Sequence, residues 1–150
     1  MKISTKVECG IIAISDIAMF SVDGETVTVY SIAERRNISA KYLEQILTSL
    51  RHSKLIKGIK GSRGGYILSK KAKEITLGEI IDALDPSIIG NEIADVNEES
   101  NKLTEAIDKF LWSKIENDVQ SFTSSVTLDD LVKFYENALD EQQSEPMYYI

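Results

Sequence analysis

Apolar side chains in the first 53 residues recur at spacings of three and four, the period of an amphipathic helix. One run predicts a helix from Thr5 to Phe20, with its buried face at Val7, Ile11, Ile14 and Ala18. A second run predicts a helix from Ala40 to Ser53 that Ser39 caps, with its buried stripe at Leu43, Ile46, Leu47 and Leu50. The pattern therefore predicts two substantial amphipathic helices in this part of the chain.

A shorter helix is predicted between these two. The segment Ser31-Ile-Ala-Glu34 has the spacing of a capping box, so we expect the helix to begin there, to run to about Arg36 and to end at Asn37. Just upstream, Val27 and Val29 alternate with threonines and predict a very short strand. A short helix followed after a tight turn by a longer one is the pattern of a helix–turn–helix.

A basic hairpin is predicted directly after the helix–turn–helix. Two short runs with β-branched residues, 55–59 and 66–68, flank a turn that contains three glycines. Lys60 and Arg63 lie at the tip with Gly64, and cations on a thin tip suit a groove lined with phosphates. A helix–turn–helix followed by such a hairpin, or wing, predicts a winged-helix DNA-binding domain.

One more short helix and a loop follow the wing. Thr76-Leu-Gly-Glu79 is a capping box that predicts a helix through about Leu84, which Asp85-Pro86 ends. Residues 86–101 are acidic, polar and weakly periodic, and we predict a loop there.

A long apolar stripe after this loop predicts a helix of about 20 residues, or roughly 30 Å. Beside so small a domain, we expect its apolar face to pack against a second copy of the chain; packing onto its own domain is the alternative. A last helix begins at Thr127 with an acidic first turn and runs to Asp140. The predicted dimerisation residues are Leu103, Ile107, Phe110, Leu111, Ile115, Val119 and Phe122.

The combined prediction is a mainly α fold with a small β wing, in which a winged helix-turn-helix domain is joined to a long dimerisation helix. Residues 1–85 form the DNA-binding domain, 86–101 the acidic loop, 102–140 the dimerisation and C-terminal helices, and 141–150 a tail. No apolar run approaches the roughly 20 residues that span a bilayer, and the opening residues lack the apolar region of a secretory signal. With one cysteine, which cannot form an internal disulfide, these features predict a cytoplasmic protein.

The net charge of −7 is unevenly distributed. Residues 1–73 hold 13 Lys/Arg and 6 Asp/Glu, a net charge of +7, whereas residues 74–150 hold 4 and 18, a net charge of −14. This asymmetry indicates a basic half that faces a polyanion and an acidic half that faces water or protein, although chance clustering of surface charge is the alternative. Because the basic charges fall on the helix–turn–helix and the wing, we expect double-stranded DNA as the partner.

The polar side chains of the Ala40–Ser53 helix are candidates for reading that DNA. An ordinary amphipathic helix would have the same polar outer face, and only the neighbouring wing favours a reading role. The side chains that lie off the buried stripe are Lys41, Tyr42, Glu44, Gln45 and Ser49.

Several motifs in the first 85 residues resemble the Rrf family of bacterial winged-helix regulators. This family includes the iron–sulfur cluster regulator, the nitric-oxide-sensitive repressor and the cysteine-metabolism repressor. The matching segments are Lys2-Ile-Ser-Thr-Lys6, Ser31-Ile-Ala-Glu34, Ser39-Ala-Lys-Tyr-Leu-Glu-Gln45, Leu50-Arg51, Leu55-Ile56, Gly61-Ser-Arg-Gly-Gly-Tyr66 and Ile75-Thr-Leu-Gly-Glu-Ile80.

The resemblance implies a dimeric transcription repressor. Its helix from Ala40 would enter the major groove, its wing tip would reach the minor groove, and its N-terminus would contact the DNA backbone. The implied DNA-binding residues are Ser4, Lys6, Ser39, Lys41, Tyr42, Glu44, Gln45, Lys60, Arg63 and Gly64.

The chain departs from the family pattern in its chemistry. Cluster-binding relatives carry three closely spaced cysteines in the loop before the long helix, and residues 86–101 contain none. Because thiolates ligate such clusters we predict no iron–sulfur cluster, and the single histidine, His52, gives no basis for a conventional zinc site. Smaller departures are Lys60, where many relatives have arginine, and Glu8-Cys9, where they often have a basic residue and an aromatic one.

The lack of a cysteine triad points to the cysteine-metabolism subgroup, whose members end in an aromatic residue followed by isoleucine. Tyr149-Ile150 fits that ending. The resemblance implies cysteine synthase (O-acetylserine thiol-lyase) as a partner, because that enzyme captures a C-terminal isoleucine of serine acetyltransferase in its active site. Ile150 would offer a similar carboxylate, with Tyr148 and Tyr149 as aromatic anchors. The alternative is a tail that packs on its own domain or frays.

Other functions remain open at this point. A regulator of the same family could control other genes, or act as an interaction or sensor module with vestigial DNA affinity. Cys9 would be a redox switch if Lys6 lowered the pKa of its thiol, an effect that Glu8 opposes. An enzyme is least expected, because the chain shows no nucleophile motif, phosphate loop or paired His/Cys site.

Overall fold

The computed structural model describes residues 3–88 and 101–144. The partner-binding tail predicted at Tyr148, Tyr149 and Ile150, and most of the predicted acidic loop, lie outside the described residues.

Helices dominate the described residues, and two strands form the one sheet among them. Single 3₁₀ turns follow β2, at Ala72–Glu74, and α4, at Pro86–Ile88. The elements are α1 (Thr5–Phe20), α2 (Val29–Arg36), α3 (Ala40–His52), β1 (Ile56–Ile59), β2 (Gly65–Leu68), α4 (Leu77–Leu84), α5 (Asn101–Ile107), α6 (Ser113–Ser125) and α7 (Leu128–Ser144).

Hydroxyl caps set the starts of α1, α3 and α4, and those of α3 and α4 are the predicted ones. The Ser4 Oγ accepts from the Val7 amide at 3.3 Å, and the Ser39 Oγ accepts from the Tyr42 amide at 3.1 Å. At α4 the capping box is complete: the Glu79 amide donates to the Thr76 hydroxyl, and the Glu79 carboxylate accepts from the Thr76 amide.

The predicted N-cap of α2, Ser31, is wrong by three residues. Thr28 caps this helix by accepting from the Ser31 amide at 3.1 Å, and the Ser31 hydroxyl donates back to the Thr28 carbonyl. Val29 is therefore the first helical residue rather than part of a strand. Asn37 ends α2 in the left-handed conformation, as predicted.

The hydrophobic core lies between α1, α3 and α4. All four predicted stripe residues of α3 are buried, which confirms the helical pattern there. On α1, Ile11 and Ala18 are only partly buried, and Ala13 and Ile17 are buried instead.

The wing is an antiparallel hairpin in which Ile56 pairs with Leu68 and Ile59 with Gly65. Val27 adds a single bridge to this hairpin through two hydrogen bonds with Tyr66, so half of the predicted short strand exists. A Cβ on Gly65 would lie 2.7 Å from the Val27 carbonyl oxygen. Only glycine therefore allows this close approach of the two backbones.

The predicted long helix exists as α5 and α6, which are joined through a π turn at Asp108–Trp112. In this turn the Ser113 amide donates to the Asp108 carbonyl, five residues back. From Asn101 to Ser125 the helix is ~37 Å long. α7 continues to Ser144, past the Asp140 end that the sequence predicted.

A β-bridge between Thr76 and Thr127 attaches the C-terminal helices to the N-terminal domain. The Leu77 amide donates to the Val126 carbonyl, and the Leu128 amide donates to the Ile75 carbonyl. Elsewhere α7 packs along α1. Among the described residues no helix is long and apolar enough to cross a membrane.

Candidate DNA interface

The outer face of α3 carries the predicted reading residues. Lys41, Glu44 and Gln45 are exposed, and Tyr42 is half-buried against the core. The Ser39 N-cap defines the backbone conformation of the first turn of α3, and this conformation sets the positions of the side chains on that turn.

Lys6 of α1 lies beside this face. It lines one open cleft of about 490 Å³ with Lys41, Glu44 and Gln45. The structure thus brings together four of the predicted DNA-binding residues, which come from two helices. Ser4 lies two residues before Lys6 as the N-cap of α1, and its hydroxyl oxygen accepts from the Val7 amide.

The wing tip presents its two cations to solvent, since Lys60 and Arg63 are both exposed. Gly61 takes a positive φ of 114°, and the Gly64 amide donates to its carbonyl at 2.9 Å. A Cβ on Gly64 would lie 2.6 Å from the Ile59 carbonyl oxygen, so glycine is needed for this tight tip.

A residue that sequence reasoning missed holds the wing in place. The Thr26 hydroxyl donates to the Arg63 carbonyl at 2.8 Å and to the Gly64 carbonyl at 3.1 Å. The tip is therefore tied to the segment that leads into α2. No signal in the sequence marks Thr26, because its partners lie 37 and 38 residues away.

A buried ion-pair cluster connects α1 to α2, and sequence reasoning missed it as well. Asp16 is completely buried, and its carboxylate accepts from both Arg35 and Arg36. The available signal was an acidic residue among the apolar positions Ala13 and Ile17 of α1.

An ion pair supports the segment after the wing. The Lys70 Nζ lies 2.8 Å from the Glu79 carboxylate. The hydrogen bond from Lys70 lowers the pKa of Glu79; burial opposes the shift, and the Thr76 amide adds to it.

The predicted dimerisation face is largely exposed in the single chain. Phe110 is 85% exposed, Leu103 67% and Phe122 63%, and Val119 is half-buried. Trp112 is also exposed and was missed, because the π turn changes the angular spacing of the side chains. The remaining exposed members of the predicted set are Ile107, Leu111 and Ile115.

Near the C-terminal end of α6, the opposite side of this helix packs onto the N-terminal domain. Thr123 is buried there, and its Oγ1 lies 3.3 Å from the position that a Cβ on Gly78 would occupy. The helix therefore uses its end to contact its own domain and leaves the apolar face exposed.

Comparison with known proteins identifies relatives over almost the whole chain. A family profile described as "Rrf2: Iron-dependent Transcriptional regulator" matches residues 3–134. The chain is 35% identical to the HTH-type transcriptional regulator CymR of Bacillus subtilis (strain 168) over 150 residues, which cover 100% of both proteins. It is 32% identical to the HTH-type transcriptional regulator IscR of Pectobacterium atrosepticum over 147 residues, which cover 97% of this chain and 88% of that protein.

A solved structure agrees with these matches. The structure of CymR (YrzC), described as the global cysteine regulator of B. subtilis, matches at a TM-score of 0.73 and 33% identity. The match covers 89% of this chain and 98% of that one. It confirms the predicted winged-helix fold, and the relatives are named as transcriptional regulators rather than enzymes, as predicted.

The family description mentions iron, but the metal-ligating side chains of this chain do not fit an iron–sulfur site. Its one cysteine, Cys9, packs partly buried against the core. Burial, and then the charge of Glu8, raise the pKa of the Cys9 thiol, so the lowered pKa that a redox switch would need is not found. In the part of the chain that the structure describes, no group of three or more His, Cys, Asp or Glu side chains could hold a metal ion. One thiol cannot supply the thiolates of an iron–sulfur cluster.

Proposed function

This chain belongs to the Rrf2 family of transcriptional regulators, and from that premise we propose that it is a dimeric, DNA-binding repressor of sulfur and cysteine metabolism genes that works without an iron–sulfur cluster. Binding to the bacterial chromosome places its action in the cytoplasm.

The observation that carries the DNA-binding part is the joint cleft of Lys6 with Lys41, Glu44 and Gln45 on the exposed face of α3. In our proposal this face lies in the major groove, with Ser39 and Tyr42 at the start of the helix. Glutamine and glutamate can read base edges there, and the two lysines neutralise phosphates.

The wing contributes the second contact in this proposal. Lys60 and Arg63 reach the minor groove, and the Gly64 backbone lets the tip approach closely. Lysine lacks the planar guanidinium fork, so Lys60 acts as a point charge that responds to the potential of the groove.

Dimerisation through α5 and α6 is supported by the exposure of the predicted apolar face. Contiguous apolar patches of this kind on a small domain mark interaction sites. In our proposal a second copy of the chain covers this apolar face. The resulting dimer would present two α3 helices to a near-palindromic operator.

The regulated genes are inferred from relatives. The full-length likeness to CymR, described as a global cysteine regulator, favours genes of cysteine metabolism. In the same proposal the tail of Tyr148, Tyr149 and Ile150 binds cysteine synthase. The likeness to IscR keeps a regulator of other genes as the alternative.

The DNA-binding proposal is tested by selecting duplexes from a random library with the wild-type chain and mapping them onto its genome. Enriched sites upstream of cysteine genes support the proposal, and sites upstream of other genes support the alternative. Titration of a selected duplex at several salt concentrations then gives the slope of log affinity against log salt.

We expect the double variant Lys60→Ala and Arg63→Ala to reduce the magnitude of that slope by about two, because two cation–phosphate contacts are lost. Lys133→Ala, which removes an exposed lysine of α7, is the control and should leave the slope unchanged. An unchanged slope in the double variant would contradict the role of the wing.

Deletion of Ile150 tests the partner. We expect calorimetry to show loss of binding to cysteine synthase, and competition by O-acetylserine with the intact chain, since both would occupy one site. Met147→Ala keeps the tail length and serves as control. Equal affinity of the deleted and intact chains would remove the tail from the interaction.

A further inference from the structure

The buried cluster on α1 extends further than an ordinary ion pair. The Asp16 carboxylate accepts from the Arg35 Nη2 at 2.7 Å, from the Arg35 Nε at 3.1 Å and from the Arg36 Nε at 2.8 Å. A carboxylate with no exposure is stable only when it is paired in this way. Both arginines belong to the last turn of α2, so the cluster fixes the end of that helix against α1.

The two arginines differ in their other partners. The Arg35 guanidinium lies 4.1 Å from the Phe20 ring centroid and so adds a second contact to α1. The Arg36 Nη1 instead donates to the Tyr135 hydroxyl of α7 at 3.4 Å, and its guanidinium lies 5.8 Å from that ring centroid. Arg36 alone of the two therefore joins α1, α2 and α7.

Arg36 remains a cation in this position. Burial by itself would lower the pKa of Arg36, but the hydrogen bonds with Tyr135 and Asp16 raise it above its ordinary value. The Arg36 guanidinium therefore stays charged at physiological pH.

The end of α2 is also the point that positions the recognition helix. Only Asn37, Ile38 and Ser39 separate Arg36 from the first residue of α3. Asn37 is in the left-handed conformation, and the Ile38 amide donates to the Ala33 carbonyl, so this turn has a defined backbone conformation. A displacement of the end of α2 is accordingly passed to the first turn of α3.

We propose that Arg36 is a positioning residue that couples α7 to operator recognition, by tying the end of α2 to both the buried Asp16 and the Tyr135 hydroxyl. This inference rests on the proposed function. It adds that a displacement of α7 changes operator affinity through α2, so that affinity responds without the substitution of any DNA-contacting residue.

Tyr135→Phe is the primary test because it removes one hydroxyl and leaves the buried carboxylate paired. With an operator duplex selected by the wild-type chain, we expect about 5-fold weaker binding. Binding to a random-sequence duplex should not change, since the phosphate-contacting cations are untouched. Lys133→Gln, two residues away on α7, breaks the exposed ion pair with Asp129 and should change neither affinity.

A double-mutant cycle separates coupling from simple destabilisation. Arg36→Lys keeps the charge but lacks the fork that reaches both partners, so Tyr135→Phe should have no further effect on operator affinity in that background. Thermal unfolding midpoints of all variants show whether the fold is retained.

The outcomes discriminate clearly. Operator-specific loss with a non-additive cycle supports the coupling. An additive cycle, wild-type affinity in Tyr135→Phe, or equal loss on operator and random duplexes overturns it. A wild-type chain that enriches no duplex overturns the proposed function and this inference together.

Discussion

At the scale of single residues, capping and pairing side chains determine where the helices begin and how they meet. Ser39 and Thr76 were predicted as caps because both stand directly before a helical pattern. Ser31 was also predicted as a cap, but Thr28 stands three residues earlier and its hydroxyl reaches the Ser31 amide. Local spacing alone could not choose between two hydroxyls that both suit an N-cap.

Glu79 leads to a pH-dependent prediction at this scale. Its pKa is lower in the folded protein than its ordinary value of 4.5, so the folded state binds fewer protons in that range. Its stabilisation is therefore complete above about pH 4.5 and is lost as the pH falls through the lowered pKa. Because the Glu79 side chain is 41% exposed, solvent screens its ion pair with Lys70, and we expect Glu79→Gln to cost about 0.5 kcal/mol at neutral pH and less in acid.

Urea unfolding of wild type and Glu79→Gln between neutral and acidic pH measures this difference. Glu136→Gln, an exposed carboxylate of α7, is the control. A difference between wild type and Glu79→Gln that stays constant or grows towards acid would contradict the prediction.

At the scale of elements, the wing illustrates how a local pattern depends on distant support. The two strands and the glycine turn were predicted from 14 consecutive residues, 55–68, and the structure has an antiparallel hairpin there. A two-stranded hairpin is only marginally stable by itself in water. Val27 and Thr26 supply the missing contacts from the segment before α2.

Replacing Thr26 by valine should loosen the wing while the fold remains. Valine keeps the side-chain shape but cannot donate to the Arg63 and Gly64 carbonyls, so the wing loses about 1 kcal/mol of stabilisation. We expect faster hydrogen exchange of the Tyr66 amide and several-fold weaker operator binding. Ser125→Ala also removes one exposed hydroxyl-to-carbonyl bond, away from the wing, and should change neither measurement. Unchanged exchange at Tyr66 in Thr26→Val would show that the hairpin does not depend on Thr26.

At the scale of the whole molecule, charge and exposed apolar surface are separated along the chain. Lys6 and Lys41 lie on the α1–α3 face and Lys60 and Arg63 on the wing tip, whereas a run of exposed apolar residues follows α5, the π turn and α6. This separation supports one surface for DNA and another for a second copy.

Phe110→Glu tests the second surface. In a dimer of our proposed form, this substitution places a carboxylate in an apolar interface. We therefore expect the dimer dissociation constant to rise by about 30-fold or more, which corresponds to a loss of about 2 kcal/mol of association free energy. Sedimentation equilibrium should then give the 16.8 kDa of the chain at concentrations where the wild type gives twice that mass. Phe134→Glu alters another exposed phenylalanine, on α7, and should leave the mass unchanged. Dissociation by Phe134→Glu alone would place the interface on α7 instead.

The amino-acid sequence by itself determined the helices, the hairpin and the side chains that face outward on α3, because these depend on periodicity, caps and glycine turns within short windows. Only the tertiary structure decided which distant residues meet. It placed Lys6 beside α3, tied the wing to Thr26, and buried Asp16 between two arginines that follow it by 19 and 20 residues. Such contacts have no local spacing, since they arise when helices pack and a charge must find its partners away from water.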